Sequence, residues 1–144
     1  MGKQVQPGEM NAVTDYSALI DGAGINVCKL LLDDELTILW ANDNFYISSG
    51  FGKDEYQTLF HHIKAYYTGH GDEFAKIKNA FYDVLQKGER RVKVGCRRPL
   101  KDNTCAWINI DGIITGEIVD SKPVALAVYS DISDVAKLKA ERDQ

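Results

Sequence analysis

Residues 36–50 read LTILWANDNFYISSG, a segment that runs from a strand through a polar corner into a short helix. Residues 37–40 are β-branched, apolar or aromatic, which favours a β-strand. Residues 42–44, Asn-Asp-Asn, follow and carry side chains that can cap a helix. Phe45 then begins an apolar helical face, and Gly50 marks the helix end because glycine readily adopts the left-handed conformation. The segment therefore predicts a strand that turns directly into a helix.

The segments on either side extend this pattern to a whole domain. Residues 25–32 are predicted to form a strand that pairs with residues 36–41 across a polar turn. The remaining periodicity predicts short helices at 44–50 and 53–60, a long amphipathic helix at 72–87, and strands at 89–97, 104–114 and 123–131. Because every connection is local, these elements predict an α+β domain with a five-stranded antiparallel sheet and helices on one face.

The last three strands alternate in hydrophobicity, which predicts one buried and one solvated face. The buried face is expected to carry Val92, Val94 and Cys96, then Ala106, Ile108, Ile110 and Ile114, and finally Val124, Leu126 and Val128. A turn closed on Asp102 and Asn103 would place Cys96 opposite Asn109, one residue out of step with this pattern. We therefore expect a β-bulge at Arg98–Pro99, because proline suits an unpaired position.

Three sequence motifs follow one another along the chain. They are Ile38-Leu39-Trp40-Ala41-Asn42 with Phe45 and Gly50-Phe51, then Lys101-Asp102-Asn103-Thr104 with Trp107, then Tyr129-Ser130-Asp131-Ile132-Ser133-Asp134. Over about residues 20–138 the chain resembles the PAS subgroup with a K-D-G-S…W pattern and a C-terminal D-I-T-E-like motif. Asn103 replaces the usual glycine and Ser133-Asp134 replaces Thr-Glu. Both changes are mild, since Asn tolerates a left-handed turn and Ser can cap a helix.

The resemblance implies a sensory or relay module of a bacterial cytosolic signalling protein, with no catalytic machinery in this chain. In that subgroup the output domain is commonly a diguanylate cyclase or the histidine kinase of a two-component system. A homodimer through an N-terminal helix or through the sheet is also implied. Signals would reach the output through Asp131, Ile132 and Ser133 and the helix that follows them.

Three regions are expected along the chain. Residues 1–22 form an N-terminal lead and amphipathic helix, residues 23–133 form the PAS domain, and residues 134–144 begin a connector helix to an output domain. Burying the two larger apolar side chains of the connector contributes at most roughly 3–6 kcal/mol. Ordering some ten residues costs more than that. We therefore expect the domain to fold without the connector.

A ligand pocket is expected between the helices and the sheet. The predicted lining is Leu39, Phe45, Ile63, Tyr66, Ile77, Phe81, Val94, Ile108 and Leu126. Flavin and haem are not expected, because the chain lacks the N-C-R-F-L motif and residues 72–87 contain no histidine. Arg91, Lys93 and Arg97 alternate with apolar residues and should point away from the pocket. These features indicate a small uncharged ligand or a filled core.

Composition places the chain among ordinary soluble domains. Its 144 residues suffice for one domain with a real core, and a formal charge of −4 argues against nucleic acid as a partner. The sequence shows no apolar run of membrane-spanning length and no signal-peptide core, so a cytoplasmic location is expected. One hairpin is nevertheless basic, and it is expected to be a solvated or partner-docking surface formed by Lys87, Arg90, Arg91, Lys93, Arg97, Arg98 and Lys101.

The chemistry of catalysis and metal binding has little support in the sequence. Cys28, Cys96 and Cys105 are expected to be free buried thiols, and no ligand spacing indicates a metal site. No nucleophile elbow, phosphate-binding loop or H-E-x-x-H motif occurs. Two alternatives to the sensory module remain open. One is a free-standing α+β small-molecule-binding protein or small enzyme, and the other is a ligand-free dimerisation module.

Overall fold

The computed structural model describes residues 22, 24–135 and 139. Its strands are β1 (Asn26–Leu31), β2 (Thr37–Ala41), β3 (Arg91–Pro99), β4 (Cys105–Val119) and β5 (Lys122–Asp131). Its helices are α1 (Asp43–Ile47), α2 (Lys53–Leu59), α3 (Ile63–Tyr66) and α4 (Gly71–Gln86). The expected N-terminal helix, and the expected connector beyond residue 135 apart from residue 139, lie outside the described residues.

The five strands form one antiparallel sheet in the order β2-β1-β5-β4-β3. This arrangement confirms the predicted α+β class. The last strand, β5, lies at the centre between β1 and β4, because the helical segment carries the chain from one half of the sheet to the other. β5 therefore contacts both halves of the sheet up to Tyr129, and its last two residues pair with β4.

Asn42 connects β1, β2 and α1 at the predicted corner. Its side-chain oxygen accepts hydrogen bonds from the Val27 N–H at 2.8 Å and from the Phe45 N–H at 3.3 Å. Its amide nitrogen donates to the Ile25 carbonyl at 2.8 Å. One buried side chain thus caps the helix and satisfies the end of β1, as residues 42–44 predict.

Helix α4 packs its apolar stripe on the inner face of the sheet. Phe74, Ile77, Phe81 and Val84 are buried there, in agreement with the sequence periodicity. The packing is close, since a Cβ built on Gly112 of β4 would lie 2.9 Å from the Phe81 ring. Small residues on the sheet below this helix are therefore required by the available space.

The residues on the inner face of β5 are not the ones that the sequence predicted. Ala125, Ala127 and Tyr129 are the side chains that face α4 and the core. Leu126 lies on the opposite face, in a groove that Arg91 and Ile113 also line. Both sets of β5 residues are apolar, and the assignment of Leu126 and Val128 to the interior is wrong, because the strand turns these two side chains into the outer groove.

The register between β3 and β4 also corrects the prediction. The ladder is continuous through Arg98 opposite Ala106 and Pro99 opposite Cys105, so no bulge occurs at Arg98–Pro99. The extra residue is taken up in the turn, where Asn103 adopts a φ of 67°. This is the geometry of a three-residue hairpin loop that ends in a left-handed residue. Asn103 thus meets the conformational demand that glycine usually meets.

Candidate functional site

An aromatic cluster fills the space between the first helices and the sheet. Its members are Phe45, Tyr46, Phe51, Tyr56, Phe60, Tyr66, Tyr67 and Tyr129. Most neighbouring rings meet edge to face, and the Phe45 and Tyr129 ring centroids lie 5.2 Å apart. Such contacts add to the burial energy of each ring, so the cluster fixes the position of α1 against β5.

Arg98 reaches into this cluster and is only 2% exposed. Its Nη1 donates a hydrogen bond to the Ser48 hydroxyl at 2.7 Å, and its Nη2 donates to the Phe45 carbonyl at 2.9 Å. The guanidinium also lies over the ring faces of Phe45, Tyr66 and Tyr129 at 4.8–5.6 Å. The prediction that Arg98 belongs to a basic surface is therefore wrong.

The sequence contained a signal for this position. Val92, Val94 and Cys96 face inward, and strict alternation places Arg98 on the same face. The predicted bulge at Arg98–Pro99 broke that alternation and left Arg98 on the surface. The continuous ladder restores it, because each residue of β3 through Pro99 has a partner on β4.

Two buried hydroxyl groups near Arg98 have no nitrogen or oxygen hydrogen-bond partner among the described residues, and each faces a cysteine thiol, Cys96 in the first case and Cys28 in the second. They belong to Tyr67 and Tyr129, each 2% exposed. Burial raises the pKa of both phenols well above the ordinary value, although the Arg98 charge acts in the opposite direction. Burial also raises the pKa of the Cys28 thiol to about 12 and that of Cys96 to about 11. These groups are therefore neutral near pH 7.

The described interior includes most of the predicted pocket lining. Phe45, Ile63, Tyr66, Ile77, Phe81 and Ile108 are buried in one core, and Val94 packs against it. Leu39 instead is 39% exposed and lines an outer cleft of about 590 Å³. β2 is an edge strand, and its register with β1 shifts next to Leu39, which turns this side chain outward.

The end of β5 is tied to β4 by the residues predicted to relay a signal. The Ile132 N–H donates to the Trp107 carbonyl at 2.8 Å. The Trp107 N–H donates to the Ser133 hydroxyl at 3.0 Å, and the Asp131 side chain accepts from the Ser133 N–H at 2.8 Å. Residues 133–135 then begin a helix. We call Asp131, Ile132 and Ser133, with their contacts to Trp107, the junction.

Two other residues of the predicted basic surface have separate partners, and one thiol that was expected to be buried is exposed. Arg97 lies over the Trp107 ring at 5.2 Å on the outer face, and Lys101 pairs with Glu55. Cys105 is exposed and Cys96 is buried, so the expectation that all three thiols are buried is wrong for Cys105.

Within the described residues, no helix combines the length and the apolar character needed to cross a membrane. The same part of the chain brings no group of three or more His, Cys, Asp or Glu side chains together in a way that could hold a metal ion.

Comparison with known proteins gives a likeness in structure alone. No protein-family model matches the chain, and no curated protein matches it. The "Sensory Box Histidine Kinase/Response Regulator" of Burkholderia thailandensis E264 superposes with a TM-score of 0.64 and 16% identity, over 89% of this chain and 95% of its own. A PAS domain of an HTR-like protein from Haloarcula marismortui gives 0.60 and 15%, over 85% of this chain and 93% of its own. A PAS domain from Colwellia psychrerythraea gives 0.61 and 15%, over 85% and 98%. The chain has the PAS fold.

Proposed function

We propose that this chain is a sensory or relay module whose core controls a covalently linked output domain, a histidine kinase or a diguanylate cyclase, through the junction. The observation that supports this proposal most directly is the position of Tyr129. Its ring packs on Phe45 and lies 5.5 Å from the Arg98 guanidinium, and Asp131 follows two residues later. A change in the interior that displaces Tyr129 would therefore move β5 at the junction.

Two further observations support this function. Solved structures of similar fold include a "PAS domain from two-component sensor histidine kinase", with a TM-score of 0.60. The junction also depends on few hydrogen bonds, because the Ser133 hydroxyl and the Ile132 N–H make its contacts with Trp107. A connection of this size can be made or broken by the modest free energy typical of allosteric coupling.

The test is a chimera in which residues 1–144 replace the PAS domain of a histidine kinase, built in several linker registers. Ser133→Ala removes the hydrogen bond to Trp107, and Ser133→Thr retains a hydroxyl as the matched control. We expect Ser133→Ala to change autophosphorylation by about fivefold or more and Ser133→Thr to leave it near the parent level. Equal activity of all three proteins in every register that is active would contradict the proposal.

A homodimer through the outer face of the sheet is part of this proposal. Ile113 is 39% exposed there and shares a groove of about 500 Å³ with Leu126 and Val128, bordered by Arg91 and Asp111. Apolar surface with a charged border is typical of an interface. Light scattering should show a dimer that Ile113→Glu converts to monomer. A parent chain that is already monomeric would contradict this assignment.

A further inference from the structure

The two edges of the sheet differ in how far they are covered. Beside β2, the Ile38 N–H donates to the His61 carbonyl at 3.2 Å, and the Ile63 N–H donates to the Leu36 carbonyl at 2.9 Å. Residues 61–63 thus cover that edge. Among the described strands, β3 has a neighbour on one side only, namely β4. An uncovered edge strand presents main-chain groups that can pair with another extended chain.

The hydrogen bonds at the two ends of β3 identify the groups that point toward its open edge. The Arg90 carbonyl accepts from the Ile114 N–H at 2.8 Å. The Leu100 N–H donates to the Thr104 carbonyl, also at 2.8 Å. The even-numbered residues therefore face β4 through the continuous ladder, and in an antiparallel pair the alternate residues face away. The odd-numbered residues of β3 direct their N–H and carbonyl groups outward.

One half of this edge is occupied by other parts of the domain. The Arg97 N–H donates to the Glu73 carboxylate at 2.8 Å, in agreement with its outward direction. Pro99 has no N–H, and its carbonyl accepts from the Tyr66 hydroxyl. In the part of the chain that the structure describes, the open half of the edge is therefore residues 91–95.

The open half of the edge carries positive charge. Arg91 and Lys93 are exposed there, and neither forms an ion pair with any described residue. Asp111, opposite Lys93 on β4, accepts a hydrogen bond from the Asn109 amide at 2.8 Å instead. Like charges directly opposite each other destabilise a strand pair, whereas opposite charges stabilise it. A second copy of β3 is therefore disfavoured as the neighbour, and an acidic strand is favoured.

A groove between α4 and β3 lies beside the same residues. It has a volume of about 580 Å³ and is lined by the apolar Ala80 and Val94 together with polar side chains of α4. Successive side chains of a strand point to opposite faces of a sheet. A chain paired with residues 91–95 would therefore place one set of side chains in this groove and the other set beside Arg91 and Lys93.

We propose that residues 91–95 of β3 bind an extended acidic segment of a partner protein, which adds to the sheet as a further antiparallel strand. Its acidic side chains lie opposite Arg91 and Lys93, and its small apolar side chains lie in the groove beside Val94. Main-chain hydrogen bonds supply affinity, and the alternate side chains supply specificity. The partner-docking surface expected from the sequence is thereby narrowed to one half of one strand edge, and its function does not depend on the junction.

The test uses the full chain and a capped peptide of sequence Gly-Glu-Val-Glu-Val-Glu-Gly at low ionic strength. NMR titration should show saturable binding with the largest shifts at residues 91–95. Hydrogen exchange at the Lys93 and Gly95 amides should slow on binding, whereas the Val92 and Val94 amides, which face β4, should change little. The same peptide with Lys in place of Glu should not bind.

Three results of this titration would overturn the proposal. One is the absence of binding by the acidic peptide, and another is equal binding by the basic peptide. The third is protection of the Lys93 and Gly95 amides that rises with the concentration of the protein alone, because this would assign the edge to a second copy of the chain.

Two N-methylated peptides separate strand pairing from attraction between charges, because both keep the charge of the acidic peptide. In an antiparallel pair, the residues opposite Arg91, Lys93 and Gly95 exchange hydrogen bonds with them, so the Glu nitrogens face β3 and the Val nitrogens face away. Methylation of the Glu nitrogens should abolish binding, and methylation of the Val nitrogens should leave it unchanged. Binding that survives methylation of the Glu nitrogens would overturn the strand pairing.

Charge reversals assign the binding to this edge. Lys93→Glu should weaken binding of the acidic peptide by about fivefold or more, because a cross-strand attraction becomes a repulsion. Lys64→Glu is the matched control, since Lys64 is exposed on α3 and also lacks an ion pair among the described residues. It should leave binding unchanged, and the double variant Arg91→Glu/Lys93→Glu should bind the basic peptide. Equal weakening by Lys64→Glu and Lys93→Glu would overturn the site.

Discussion

Asn42 shows at the scale of a residue how one side chain can organise three elements. Its amide makes three hydrogen bonds, to β1, to the residue before β1 and to α1, and it is 4% exposed. The Val27 and Phe45 N–H groups are buried, and both would lose this partner together. A buried amide of this kind is therefore more important than an ordinary helix cap.

We expect Asn42→Ala to lower the free energy of unfolding by about 2–4 kcal/mol, since it removes a cap and leaves buried backbone groups unsatisfied. Urea denaturation monitored by tryptophan fluorescence would measure the change. Asn79→Ala, at an exposed position of α4, is the matched control and should change stability by less than about 0.5 kcal/mol. Similar losses of unfolding free energy in both variants would show that the hydrogen bonds of Asn42 do not stabilise the corner.

At the scale of elements, the close approach of α4 to the sheet determines which residues β4 and β5 can place inside. A Cβ added at Gly112 would lie 2.9 Å from the Phe81 ring, and Ala127 lies opposite Gly112 in the ladder. The same helix is tied to β3 by Glu73, whose carboxylate accepts a hydrogen bond from the Arg97 N–H at 2.8 Å. Steric contact and a charged hydrogen bond thus act together at this interface.

Gly112→Ala should lower the free energy of unfolding by about 1–3 kcal/mol, because the new methyl group would overlap the Phe81 ring. Gly95→Ala is the matched control on the neighbouring strand, where a Cβ has no neighbour closer than 4.0 Å. It should be neutral or slightly stabilising. A Phe81→Leu change that restores part of the loss in a double mutant would assign the effect to this contact, and strictly additive losses would count against it.

Glu73 should make the domain sensitive to acid. Burial alone would raise the pKa of its carboxyl group, but the hydrogen bond from the Arg97 N–H and the contacts with Lys76 outweigh burial and lower it. The unfolded chain therefore binds this proton more readily than the folded chain does. The stabilisation is complete above the ordinary value of 4.5 and is lost as the pH falls through the lower folded-state value.

Glu73→Gln should therefore reduce stability by about 1 kcal/mol at pH 7 and flatten the decline in stability at acid pH. Thermal midpoints measured from pH 7 down to about pH 3 would show both effects. An acid decline as steep in the variant as in the parent would mean that other carboxyl groups are responsible.

At the scale of the whole molecule, the central position of β5 connects the interior to the end of the domain. The strand contacts β1 on one side and β4 on the other, and it ends at the junction beside Trp107. β5 thus links the core, at Tyr129, to the hydrogen bonds of the junction. The connector beyond it remains a prediction from the sequence.

Truncation after Ser133 should shift the thermal midpoint by only a few degrees, because it keeps the Ser133 hydroxyl and its hydrogen bond to Trp107. Calorimetry of the truncated chain would test this expectation. A large loss of stability would instead make residues 134–144 part of the core.

In the chimera, proline at Leu138 should uncouple output from signal, since proline interrupts a helix.

Local sequence determined the elements and much of the fold of this protein. The strand-to-helix corner at Asn42, the apolar stripe of α4 and the left-handed residue Asn103 follow from periodicity and from local conformational preference, and all three occur as predicted. Short-range steric and hydrogen-bonding rules govern these features, so the neighbouring residues suffice to predict them.

Tertiary structure alone decided which of two apolar faces turns inward and where a charge is buried. Leu126 and Ala127 are both compatible with a core strand, and the structure places Ala127 on the inner face, opposite Gly112, where Phe81 lies close to the sheet. Arg98 became an interior residue because the hairpin absorbs its extra residue at Asn103, and a register change of one residue exchanges the two faces of a strand. The alternation along β3 already indicated an interior Arg98, but only the pairing with β4 decided between that alternation and a bulge at Arg98–Pro99.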